Sequence, residues 1–199
     1  ISNYFTAINL AKSVQDTVLL ALANMNLGNV YLGLNKLDSA LLFTQRALDL
    51  FSKLSFEGRK YQGLTLTIMG SIYRAKGNFN LAMDASMEAV KANTEHNNIS
   101  NLEESYALLS SLYVILNKPD SSLFYAMKAL ETAKSVGQPQ YMTSAYGLLS
   151  YVYISQKNRD STLKYLQLYS ALNDSLNNVD RKNLLAYQNV GFDEQIRLQ

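Results

Sequence analysis

Leu27-Gly28-Asn29-Val30-Tyr31 returns along this chain as Met69-Gly70-Ser71-Ile72-Tyr73, Leu109-Ser110-Ser111-Leu112-Tyr113 and Leu149-Ser150-Tyr151-Val152-Tyr153, at steps of 42, 40 and 40 residues. In each copy a large apolar residue and a Tyr stand four apart, which places them on one face of a helix, with a small residue between them. Twelve residues after each small residue comes a second one: Ala40, Ala82, Ser122 and Thr162. Seven further on come Ala47, Ala89, Ala129 and, breaking the rule, Tyr169. Small residues seven apart lie about two turns apart on one helical face, where a second helix can pack closely against the first. The chain therefore reads as repeated pairs of helices, A and B.

The segments between A and B agree. They run Asn35-Lys36-Leu37-Asp38, Gly77-Asn78-Phe79-Asn80, Asn117-Lys118-Pro119-Asp120 and Asn158-Arg159-Asp160. Each ends in Asp or Asn, whose side-chain oxygen can accept from the free N–H groups of a following helix. Asp38, Asn80, Asp120 and Asp160 are the predicted N-caps of four B helices.

This pattern of large apolar residue, Gly, Tyr and paired Ala resembles the tetratricopeptide repeat. The resemblance covers residues 16–175 as four repeats, at about 16–55, 56–98, 99–138 and 139–175. Residues 1–15 resemble helix B of a truncated preceding repeat, because Ala7 falls 21 residues before Gly28 as Ala89 does before Ser110. The repeat length of 40–42 matches HEAT or armadillo repeats better; the Gly/Ser-x-x-Tyr marker and the paired small positions favour the tetratricopeptide reading. The aromatic expected early in helix A is Asn24 and Leu66 in the first two copies, then Tyr106 and Tyr146, and the terminal Pro is missing throughout. The resemblance implies an all-α, right-handed superhelical solenoid of antiparallel helix hairpins. Residues 176–199 read as a separate C-terminal capping or linker helix, its apolar side carried by Val179, Leu184, Tyr187, Val190, Ile196 and Leu198.

Bulk properties exclude several functions. Apolar residues make up 48%, ample for a core, and charged residues only 17%. The net charge is +2, from 18 basic and 16 acidic residues, with no basic cluster of the kind that neutralises phosphates, so nucleic acid is not the expected partner. No Cys is present, which removes disulfides, thiolate metal sites and Cys nucleophiles. No apolar run reaches the roughly 18 residues that span a bilayer. The chain opens without Met inside a helical pattern and reads as a piece of a longer protein, in which a membrane anchor following this segment is one expectation.

Chemistry is sparse. The one histidine, His96, stands in the polar stretch Glu95-His96-Asn97-Asn98 and reads as a solvated loop residue. Glu103 and Glu104 read as carboxylates opening a helix, where they meet its dipole favourably. Gly28, Gly33, Gly70 and Gly77 fall at repeat spacing and form no phosphate loop. No catalytic residue, metal site or cofactor is expected. The repeat-core set is instead Gly28, Tyr31, Ala40, Ala47, Gly70, Tyr73, Ala82, Ala89, Ser110, Tyr113, Ala129, Ser150 and Tyr153.

Stacked A helices line the inner face of such a solenoid, so a partner should meet the A-helix positions that point away from B. These are Met25, Asn29, Leu32, Thr67, Ser71, Arg74, Ser111, Val114, Tyr151 and Ile154, with Arg74 and Tyr151 the strongest anchors. They suit a protein or peptide partner. The carboxylate clamp of chaperone-binding family members maps to Met25, Asn29, Ile68, Glu104 and Leu108; only Asn29 fits, so that specificity is not expected. By resemblance the chain is a non-catalytic interaction module, the sensory part of a bacterial signalling protein outside the cytoplasm (periplasmic). The alternatives are a cytoplasmic scaffold joining proteins and a peptide-pheromone receptor domain.

Overall fold

The structure, a computed structural model, describes the backbone of residues 1–197 and the side chains of residues 1–56 and 59–178. Among the described residues there are nine α-helices and no strand. They are α1 (Ser2–Ser13), α2 (Thr17–Gly33), α3 (Leu37–Phe51), α4 (Gln62–Ala75), α5 (Phe79–Glu95), α6 (Ile99–Ile115), α7 (Pro119–Val136), α8 (Pro139–Ser155) and α9 (Arg159–Arg197). A 3₁₀ turn, Glu57–Tyr61, leads into α4. No described helix is long and apolar enough to cross a membrane.

Four hairpins follow one another: α2/α3, α4/α5, α6/α7 and α8/α9, with α1 packed on α2 as α3 is packed on α4. Each first helix also touches the first helix of the next hairpin: α2 meets α4, α4 meets α6, and α6 meets α8. The second helices α3, α5 and α7 meet the next hairpin chiefly through its first helix. A stack closed up along its A helices and spread apart along its B helices bends toward the A side. That wedge makes α2, α4, α6 and α8 the lining of the concave face.

The repeat positions show how the hairpins close. Ala40, Ala47, Ala82, Ala89 and Ala129 are fully buried. A methyl group added at Gly28 would stand 2.3 Å from Thr44 Oγ1 and 3.2 Å from the Ala40 carbonyl. At Gly70 it would meet Ser86 Oγ at 2.9 Å and the Ala82 carbonyl at 3.3 Å. In the third hairpin a serine stands in the glycine's place, and the register puts Ala126 where the others have Thr44 and Ser86. Ser110 Oγ donates to the Ser122 carbonyl at 2.8 Å. In the fourth, Ser150 Oγ donates to the Gly147 carbonyl within its own helix. Between the first two hairpins and the third, the contact volume is thus kept while the side carrying it changes.

The repeat tyrosines stack on the residue twelve positions on. Tyr31 lies 5.5 Å from Phe43 at 13°, Tyr113 lies 5.4 Å from Tyr125 at 8°, and Tyr153 lies 5.6 Å from Tyr165 at 8°. In the second hairpin that residue is Ala85, and Tyr73 packs against Ala82, Leu108 and Leu112 instead. Asn24, in the slot where Tyr106 and Tyr146 stand, turns its carboxamide onto the Leu20 carbonyl at 2.7 Å.

The turns require a correction. Asp38, Asn80 and Asp120 are not N-caps: the caps are Lys36, Asn78 and Lys118, so each expected cap is the second residue inside its helix. Asp160 likewise lies inside α9, and Asn158 Oδ1 accepts from Ser161 N at 3.1 Å in the capping role. The reason lies in how the A helices stop. Asn35, Gly77, Asn117 and Lys157 all take left-handed backbone, with φ of 55°, 77°, 53° and 56°. The N–H of the next residue then reaches back to the Tyr31, Tyr73, Tyr113 or Tyr153 carbonyl at 2.9–3.0 Å, the six-to-one bond of a Schellman ending. The chain reverses within two residues, which leaves the later Asp or Asn no room outside the helix. Asp38 instead pairs with Lys76 of the next hairpin's turn, and this interaction holds its carboxyl below the usual range.

Among the described residues there is no separate C-terminal helix either. α9 runs unbroken for 39 residues from the fourth hairpin to Arg197. The capping contacts expected of Val179, Leu184, Tyr187, Val190, Ile196 and Leu198 lie outside the described residues.

Candidate functional site

Two adjoining hollows occupy the concave face. The larger, about 580 Å³, crosses α4, α6 and α8 and is lined by Thr67, Ser71, Arg74, Glu103, Glu104, Ala107, Leu108, Ser111, Gln140, Tyr141 and Ser144. The smaller, about 280 Å³, crosses α2, α4 and α6 and includes Met25, Asn29, Leu32, Ile68 and Asn101. Thr67, Ser71 and Glu104 belong to both, so the two form one groove. Side chains forty or forty-two residues apart come level across the helices, and the groove is built from these rows.

Its floor is held by a buried polar network. Thr67 Oγ1 and Ser105 Oγ lie 2.8 Å apart, joining α4 to α6. Asn93 of α5 donates to Ser105 Oγ at 3.0 Å, and Ser105 donates to the Asn101 carbonyl at 2.9 Å. Thr67, Asn93 and Ser105 are all buried, and bonds of this kind contribute about 1 kcal/mol each once lost hydration is counted. Gly63 leaves the space that the Asn93 carboxamide fills: a methyl group there would stand 2.1 Å from Asn93 Oδ1.

Glu103 does not open its helix. It is the fifth residue of α6, whose first turn carries no acid, and it is only 2% exposed. Its Oε1 is enclosed and has no hydrogen-bond partner. Burial, reinforced by the charge of Glu104, pushes its carboxyl up to about 7. The register explains the burial. The equivalent residues Ala21, Gly63 and Thr143 are buried too, and at Gly63 the row comes against Asn93 of the hairpin partner α5.

Of the residues expected on this face, Met25, Asn29, Leu32, Thr67, Ser71, Arg74 and Ser111 line the groove. Met25 is its floor, 4% exposed within a core cluster containing Ile68. Val114 packs into the core around Leu149 and lines neither hollow. Tyr151 and Ile154 are exposed but stand outside both, since no described A helix follows α8 to build the opposite wall. Of the clamp positions, Ile68 and Leu108 are buried apolar side chains. His96 is half-buried, capping α5 and stacked on Phe56 at 4.2 Å, rather than solvated. Among the described residues no three His, Asp or Glu side chains gather as metal ligands would. Sequence reasoning missed Gln140, Tyr141 and Ser144, and it read Glu103 and Glu104 as acids opening a helix rather than as lining of this hollow. The available signal was the row of small residues that Glu103 interrupts.

Comparison with known proteins agrees with this architecture. Residues 65–96 and 103–135 match the family model of the tetratricopeptide repeat, and those two stretches are such repeats. No curated protein matches the chain. Among solved structures the fold is similar to the apo form of RapI, at 18% identity and a TM-score of 0.75, over 89% of this chain and 64% of that one. It is also similar to BtubC (BKLC) from P. vanneervenii, at 16% identity and 0.73, over 87% and 72%. A third is the aspartyl phosphate phosphatase F of Bacillus subtilis, at 20% and 0.64, over 85% and 45%. The chain thus spans less than two thirds of RapI and under half of the phosphatase, and at these identities the likeness is one of fold.

Proposed function

We propose that this array, whose two central hairpins are tetratricopeptide repeats, is a non-catalytic module that holds a peptide or an extended protein segment along its concave groove. The observation that carries the reading is the continuity of the groove: two hollows share a wall and together cross all four A helices. Their lining combines hydrogen-bonding side chains (Asn29, Ser71, Ser111, Gln140, Ser144) with Arg74, Tyr141 and an apolar floor. Such a lining suits an extended backbone, whose carbonyl and N–H groups need partners at intervals while its side chains seek pockets. The wider setting we propose is sensory: the groove receives a signal peptide or protein, and the long α9 carries the change onward.

The test is fluorescence anisotropy with a fluorescein-labelled pool of random hexapeptides. Ser71 belongs to both hollows, so Ser71→Trp should block binding, and Arg74→Ala should weaken it, with circular dichroism unchanged. Equal binding by Ser71→Trp would place the site elsewhere. A scaffold joining two proteins is a second reading, favoured by the exposed Leu42, Leu81, Phe124 and Met127 on the B helices. A partner held there would survive Ser71→Trp.

A further inference from the structure

The larger hollow carries an unbalanced charge. Its charged lining residues are Glu103, Glu104 and Arg74, two acids against one base. The acids stand side by side on α6, while Arg74 lies near the C-terminal end of α4. Arg74 is level with residue 114 and Glu104 with residue 64. At 1.5 Å per residue the acidic and basic ends are therefore about 15 Å apart along the helices, the span of roughly four or five extended residues. Glu103 is buried with one carboxyl oxygen unpartnered, and among the described residues no hydrogen bond or ion pair engages Glu104. A buried carboxyl without a partner is costly unless something completes it.

We infer that the groove selects peptides bearing a cationic group, an ammonium or guanidinium, seated against Glu103 and Glu104, with Arg74 holding an acceptor at the other end. This rests on the groove being the binding surface. A cation supplies the missing donors to Glu103 and offsets the crowding of two carboxyls. A neutral donor would satisfy one oxygen and leave the repulsion in place. An anion would be repelled at this end.

The test uses the full chain and three fluorescein-labelled pentapeptide pools, identical except for a fixed Lys, norleucine or Glu at the first position, with uncharged residues randomised elsewhere. The lysine pool should bind at least about tenfold more tightly than the norleucine pool, as a charge-assisted contact gives. Glu103→Gln and Glu104→Gln should each reduce the ratio of lysine-pool to norleucine-pool affinity. Because Glu104 is exposed, its variant reports on recognition even if Glu103→Gln disturbs packing. Equal binding of the lysine and norleucine pools would overturn the cation inference and leave the groove reading standing. Failure of all three pools to bind would overturn both.

Discussion

At the scale of single residues, the array is held together by exchanges of volume across a shared register. Gly28 faces Thr44 and Gly70 faces Ser86, while the third hairpin pairs Ser110 with Ala126 by register. Gly28→Ala should therefore cost about 1–3 kcal/mol in urea unfolding, the usual range for overpacking. Adding Thr44→Ala should recover most of the loss, because the third hairpin already uses that combination; no recovery would mean the backbone contact with Ala40 dominates. Glu103 breaks the same rule with charge. Its carboxyl is held at about 7 against an ordinary 4.5, so the folded state keeps a proton that the unfolded chain has lost. Stability then falls as pH rises from about 4.5 to about 7, by at most about 3 kcal/mol. Glu104, Arg74 and Tyr141 share the hollow and stay in place in a Glu103→Gln variant. That variant should match the parent near pH 4 and become progressively more stable than it toward pH 8. A constant difference across that range would show that Glu103 is not the titrating group. The repeat core was readable in the sequence because steric need shows as recurring residue types. Glu103 was not, because an acid five residues into a helix looks like a surface residue until the row Ala21, Gly63, Thr143 is aligned with it.

At the scale of elements, helix existence was legible and helix beginnings were not. The Gly/Ser-x-x-Tyr marker located every A helix, since a tight interhelical contact permits few residue types. Asp38, Asn80, Asp120 and Asp160 misled because an acid or amide is favoured both at a cap and in the first turn, where it meets the positive end of the helix. What fixes the turn is the left-handed residue three positions earlier. Asn35, Gly77 and Asn117 suit that backbone, whereas Lys157, with φ of 56°, does not. A Cβ in this conformation costs roughly 1–2 kcal/mol. Lys157 is exposed, so replacement loses no packing. Lys157→Gly should stabilise the fourth hairpin by about 1 kcal/mol, and Lys157→Asn by somewhat less, read as a raised melting temperature. Asn117→Ala at the equivalent turn should act in the opposite direction. Destabilisation by Lys157→Gly would mean that this turn is held by the lysine side chain rather than limited by its backbone.

At the scale of the whole molecule, every hairpin depends on its immediate neighbours. α4 and α6 have A helices on both sides, α1 rests on α2, and no described hairpin follows α8 and α9. The polar network of Thr67, Asn93 and Ser105 ties α4, α5 and α6 together, and the residues that match the repeat family fall on these central hairpins. Arrays of this kind behave nearly as one-dimensional chains, their stability set by each unit and its interfaces. Native-state hydrogen exchange should therefore show graded opening energies, greatest for amides in α4, α5 and α6 and least in α1. The exposed Phe5 and Leu10 on α1, with the exposed Val14 just past its end, show how little of that helix is engaged. The groove sits over the most protected part, so a ligand there would meet a preformed surface and lose little to ordering. Thr67→Val removes the α4-to-α6 hydrogen bond while keeping the shape of the side chain. It should lower protection in α4 and α6 alike while leaving α1 unchanged. A uniform drop in every helix, α1 included, would show a single cooperative unit instead of a chain of coupled hairpins.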